Sequence, residues 1–355
     1  MSSGERLVHI DGLRGLAVLL MVMVHAAATW APSSPSDATV LSLLVSGLGG
    51  LAAPLFVTLL GWGLIQRPRT WQERWRQATF LFACQFAVNL SAPHLFEPFT
   101  PGILSLMGLL VLTQPWWGRQ WTPRPLYNMG ILCVQLMLLL LLLDPFQTPS
   151  DWGARVSTPS LAVAGWHLLL TGTYPLIPWA FFAAFGATIS CYQRHEVATD
   201  ILLRLSLIGL VISFATLMYS VRAEVVWALP TGDAVLTFFP ANIPFLVAAC
   251  TGVALLWILA STTRAVDRFS ELGRTSLSVY VVHFVPFVWL YQLDETYAWS
   301  ASMSALPTLV YTLVWAIIGT LWYRHVRDWS LETLLRSWTN RPSSPLAHPS
   351  NSEAE

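Results

Sequence analysis

Asp11, Arg14 and His25 share the first hydrophobic stretch of the chain, and their types and spacing are suited to chemistry at a membrane. Charged side chains are costly in lipid and tend to be kept where they work. Arg14 and His25 are eleven positions apart, three helical turns, so they face the same way about 16 Å apart along a helix axis. An imidazole titrates near neutrality and can take a proton from an acceptor hydroxyl or amine, or attack an activated acyl group itself. Asp11 and Arg14 are three apart, within pairing reach. They form either an anchoring ion pair or, through Arg14, a contact to the phosphates or pantetheine amides of a nucleotide-like donor.

Further residues are candidates. His283 falls about nine residues into a late hydrophobic stretch, Ser276-Leu-Ser-Val-Tyr-Val-Val-His283, and a histidine at that depth should face the bundle interior. It is either a hydrogen-bonded packing residue or part of a pore or acceptor site. His94 and Glu97 lie in a short loop and are either solvated or placed to bind a polar acceptor near His25. Arg264, Arg268 and Arg274 precede the His283 stretch, where Gly273 marks a helix start that could receive an anionic donor. Arg76 is a further donor-side candidate. No Ser/His/Asp order, phosphate-binding glycine loop or metal-ligand cluster stands out, so no metal is expected.

Composition determines which elements hold these residues. Of 355 residues 55% are hydrophobic and 11% charged, and the formal net charge is zero; mean hydropathy is +0.57. These values exclude an ordinary soluble protein and give no electrostatic footprint for nucleic acid. An all-α polytopic bundle in the lipid bilayer follows. About ten spans are expected, near 10–30, 40–65, 77–92, 101–117, 125–144, 174–192, 201–220, 243–260, 275–293 and 305–323. The third, fourth and sixth are short enough to be tilted, broken or buried in protein. All 19 basic residues are arginine. With both termini cytoplasmic, only Arg155 and Arg222 fall on outer segments, as the positive-inside rule requires. The segment holding Trp166, His167 and Leu168 to Leu170 is expected to be interfacial or re-entrant. Residues 1–325 read as one transmembrane domain, 326–339 as an amphipathic interfacial helix and 340–355 as a disordered cytoplasmic tail. The four cysteines sit on apolar stretches without metal or redox spacing.

The first span, Ile10-Asp-Gly-Leu-Arg-Gly-Leu-Ala-Val-Leu-Leu-Met-Val-Met-Val-His25, resembles the signature of the transmembrane acyltransferase superfamily. It is shared by the acyltransferase-3 and heparan-alpha-glucosaminide N-acetyltransferase families. Ala53-Pro-Leu-Phe-Val-Thr-Leu-Leu-Gly-Trp-Gly63, Gly102-Ile-Leu-Ser-Leu-Met-Gly-Leu109, Tyr174-Pro-Leu-Ile-Pro-Trp179 and Leu272-Gly-Arg-Thr-Ser-Leu-Ser-Val-Tyr-Val-Val-His283 follow in order, and the Tyr-Pro block tilts the likeness toward the glucosaminide type.

The resemblance implies a multi-pass enzyme of a bacterial-type inner membrane. It would carry acetyl from cytoplasmic acetyl-CoA to a sugar or lipid-linked sugar at the outer face. His25 would be catalytic and Arg14 the motif arginine, with Arg274 and His283 in the later block. After His25 the chain runs Ala-Ala-Ala-Thr-Trp, with no adjacent oxyanion donor. A homodimer is compatible with such a bundle. The alternatives are a transporter or flippase-like protein without transferase activity, and a structural partner of an envelope polysaccharide assembly.

Overall fold

The computed structural model describes residues 7–30, 40–147, 151–193 and 197–339. The expected tail, 340–355, lies outside them. Each of the ten expected spans is helical. Among the described residues eight helical segments are long and apolar enough to cross a membrane, and the protein is nearly all-α. Among the described residues the only strands are β1 (Ala228–Leu229) and β2 (Leu236–Thr237), a two-residue pair in a loop.

The bundle is built around α1 (Val8–Thr29), α2 (Val40–Gln66) and α8 (Leu176–Gln193), with α1 and α8 the most buried of the spans. The α2–α8 crossing is close because each helix offers the other a glycine. A Cβ on Gly61 would strike the carbonyl of Ala183, and one on Gly186 the carbonyl of Thr58. Small residues at such crossings let backbones approach in lipid, where van der Waals contact replaces the hydrophobic effect between helices.

Around this centre lie two antiparallel neighbours, α3 (Trp71–Ser91) with α4 (Ile103–Trp117), and α9 (Ala198–Ala223) with α10 (Ile243–Thr262). α5 (Pro125–Leu143) packs on α8, and α15 (Ala301–Val326) packs on α1. α5 and α9 turn unbroken apolar faces outward, with Leu141 and Val211 about 70% exposed. That places them at the lipid boundary, since a helix apolar all round is made for a membrane.

Two helices depart from the expected spans for visible reasons. α3 starts at Trp71, six residues before the apolar stretch, because Thr70 and Glu73 close a capping box. α4 has only 15 residues, and its start is finished by its neighbour. Gln85 accepts from the Leu104 backbone N–H at 3.1 Å and donates to Asn89, which donates to the carbonyls of Pro98 and Thr100. These buried amides serve backbone groups that lipid would leave unsatisfied.

The span expected at 275–293 is not one helix. It comprises α12 (Ser276–Val282), a turn at His283 to Pro286, α13 (Phe287–Leu290) and α14 (Leu293–Thr296), preceded by α11 (Ser270–Gly273). Pro286 has no N–H to continue the ladder. The carbonyl of His283, freed by the break, accepts the hydroxyl of Tyr311 on α15. Broken backbone at this depth is tolerated where it is buried in protein, and His283, Phe284 and Phe287 are fully buried.

The amphipathic helix expected from 326 is α16 (Leu331–Thr339). It begins five residues later because a 3₁₀ turn, Arg327–Trp329, intervenes and Ser330 accepts from the Thr333 N–H.

Candidate functional site

α1 crosses the segment that leads into α12, and every residue of interest at this crossing depends on how closely they meet. A Cβ on Gly15 would strike the Phe269 carbonyl, and one on Gly273 the carbonyl of Asp11. With hydrogens there instead, the two segments run together from Asp11 and Arg274 at one end to His25 and His283 at the other.

At the first end, Asp11 is buried, 2% exposed, and links two arginines. Its Oδ1 accepts from Arg14 Nη1 at 3.2 Å and its Oδ2 from Arg274 Nε at 3.2 Å. Arg274 also donates to the Tyr323 hydroxyl at 2.5 Å. Tyr323 first, then the Asp11 carboxylate, hold the Arg274 guanidinium above its usual range. Arg14 keeps 36% of its side chain exposed and lies alongside Gly63 of α2. The anchoring and donor-binding readings of Asp11 and Arg14 are therefore compatible: one guanidinium nitrogen is tied to Asp11 while the side chain reaches an accessible surface. Arg76 stands half-buried in the second turn of α3.

The N-terminus of α12 is already occupied. Glu332 of α16 accepts from the backbone N–H groups of Leu277 at 2.6 Å and Ser278 at 3.2 Å, and from the Ser278 hydroxyl at 2.7 Å. A carboxylate of this chain thus fills the anion seat that Gly273 and the neighbouring arginines suggested for a donor.

At the second end the structure joins two residues 258 positions apart. His25 Nδ1 lies 3.0 Å from His283 Nε2, with the ring centroids 5.1 Å apart and the planes inclined by only 14°. His25 is 8% exposed and His283 fully buried. The other ring nitrogen of His283, Nδ1, lies 3.1 Å from the carbonyl oxygen of Val279. Tyr280 meets both rings edge-on and Phe284 packs against both. His283 is thus a direct partner of His25, a relation that neither sequence reading of it contained. Because His283 occupies Nδ1 of His25, Nε2 is the nitrogen left for chemistry.

His94 sits one turn outward. Its Nε2 is 3.3 Å from the hydroxyl of Thr29, four residues after His25, and its ring stacks on Tyr291 at 5.1 Å. Burial holds its pKa below the usual imidazole range. Glu97 is committed elsewhere: its Oε2 accepts from the Thr158 backbone N–H at 2.6 Å and from the Thr158 hydroxyl at 3.2 Å. Those bonds, the backbone one foremost, hold its carboxyl below the usual range. It fastens one loop to another.

The segment expected to be interfacial folds as a short helix, Leu161–Trp166, and a π turn, His167–Thr171. His167 is buried, bonded to Thr171 and to the carbonyl of Ser157. Arg155, one of the two arginines expected on outer segments, is fully buried and donates to the carbonyls of Thr171 and Gly172. Among the described residues no group of three His, Cys, Asp or Glu could hold a metal ion.

A family model described as an acyltransferase domain matches residues 7–325. No curated protein matches the chain. The match spans both ends of the α1 crossing, from the Asp11 network to the histidine pair.

Proposed function

Since the chain belongs to this family of acyltransferases, we propose that it moves an acetyl group from acetyl-CoA to a carbohydrate acceptor, with His25 as its catalytic residue. The observation that carries this reading is that His25, buried against His283, stands on the same helix as the partly exposed Arg14. The chain is a multi-pass membrane acyltransferase; the donor, the acceptor and the membrane are the proposal.

Acetyl-CoA enters from the cytoplasm, its phosphates near Arg14 and Arg76, its pantetheine arm running along α1. Arg14 and His25 are about 16 Å apart by helical rise, which such an arm can span. At the far end an acceptor hydroxyl or amine binds between His25 and His94. His25 Nε2 takes the acceptor's proton as its oxygen or nitrogen attacks the thioester carbonyl. The carbon–sulfur bond then breaks, and the same proton passes from His25 to the departing CoA thiolate. Asp11 and Arg274 hold Arg14 in place. The acceptor is a free or lipid-linked sugar at the outer face of the inner membrane.

The test is purified protein in detergent with radiolabelled acetyl-CoA and sugar acceptors. His25→Ala is expected to lower CoA release and label transfer by about 10²- to 10⁴-fold while leaving expression and membrane insertion intact. Near-normal turnover in His25→Ala would end the proposal.

A further inference from the structure

The two histidines and one backbone carbonyl form a chain whose protons can be placed. A carbonyl oxygen only accepts, so His283 Nδ1, 3.1 Å from Val279 O, carries a hydrogen. A neutral imidazole has one N–H, so His283 Nε2 is a bare acceptor. The nitrogen 3.0 Å from it, His25 Nδ1, must then donate. The opposite arrangement would set a nitrogen lone pair against the Val279 oxygen. A second proton on either ring would be a buried cation, and among the described residues no carboxylate bonds to either ring.

We infer that His283 is a positioning residue that fixes His25 as the Nδ1–H tautomer, leaving the lone pair on Nε2. The inference rests on the reading of His25 as the reacting group. His283 is itself immobilised. Its carbonyl is held by Tyr311, its ring is packed against Phe284 at 4.1 Å, and it sits at the turn that ends α12. A partner's hydrogen bond decides which nitrogen of a histidine is protonated, and here the partner is another histidine tied to the main chain. When Nε2 takes the acceptor's proton, the Nδ1–H remains on His25 and its bond to His283 shares the new charge.

The experiment is ¹⁵N NMR of the full chain labelled at histidine, in detergent, with His25→Gln identifying the His25 signals. In the wild type His25 is expected to show a protonated Nδ1 and a bare Nε2. His283→Phe, which removes the acceptor, is expected to lose that tautomer. It should also lower kcat by about 10²- to 10⁴-fold at little-changed KM, the range for a misplaced general base. His283→Gln, whose amide oxygen can accept the same hydrogen, should keep the tautomer and recover kcat to within about tenfold of wild type. A protonated Nε2 in the wild type overturns the inference whether or not His283→Phe folds. So does His283→Phe with tautomer and kcat both unchanged. The NMR signature needs no turnover, so a wild type with the assigned tautomer and no acetyl transfer would overturn the acyl-transfer reading and uphold the role of His283.

Discussion

A single carboxylate, Asp11, organises the end of α1 opposite the histidines. It is almost fully buried and touches two guanidinium groups that are each partly exposed. Removing one partner of a buried pair costs about 3–5 kcal/mol, and less where the removed group is wet. Arg274→Ala leaves Arg14 to neutralise Asp11, so a loss of about 1–3 kcal/mol is expected, read as a lowered unfolding temperature in detergent. Asp11 and Arg14 could be paired from their spacing alone, because i,i+3 neighbours meet on any helix. Arg274 and Tyr323 could not, since their contacts come from the tertiary crossing. The same holds for His25 and His283: each was recognisable as a candidate from its depth in an apolar stretch, and nothing local to either sequence brings them together.

Elements here are set by close approach as much as by hydropathy. The contrast between two glycines measures it. Gly273 faces the Asp11 carbonyl with no room for a methyl, whereas nothing lies within 4 Å of a Cβ on Gly50 in α2. Gly273→Val is expected to force α1 away from α11 and abolish the folded yield, judged by monodispersity in detergent. Gly50→Ala should raise the unfolding temperature, because alanine in a helix is worth up to about 1 kcal/mol over glycine. The helices themselves were legible in the apolar runs, down to the short α4. The interruption at His283 was less so, because Val281 to Leu290 is almost continuously apolar and only Pro286 marks the break. Nor does sequence give Glu332 its place on α12, since a glutamate between leucines on an amphipathic turn reads as solvated.

At the scale of the whole molecule, the loops at the end of the bundle near His94 are tied together by polar contacts. Glu97 is the clearest tie. Its bonded carboxylate has a depressed pKa in the folded protein; unfolded, it would titrate near about 4.3. Its contribution is therefore full above that value and lost as pH falls through the lower, folded pKa. His167 stands close enough to favour the ionised form. Glu97→Gln should free the 151–160 segment at pH 7, raising its amide hydrogen exchange, and should remove the acid-dependent part of the wild-type response. Exchange in that segment unchanged by Glu97→Gln would mean the loops are held by other contacts.

The two ties between α1 and the late segment also act as a gauge of length. Asp11 meets Arg274 and His25 meets His283, so the 14 positions between the two ties on α1 and the nine between them on the late segment are both fixed. One residue added within either interval turns everything beyond it by about 100°, and only one of the two ties can then survive. Relatives that keep this site are thus free to vary the residues between these four positions but not their number, and insertions should gather in the loops outside them.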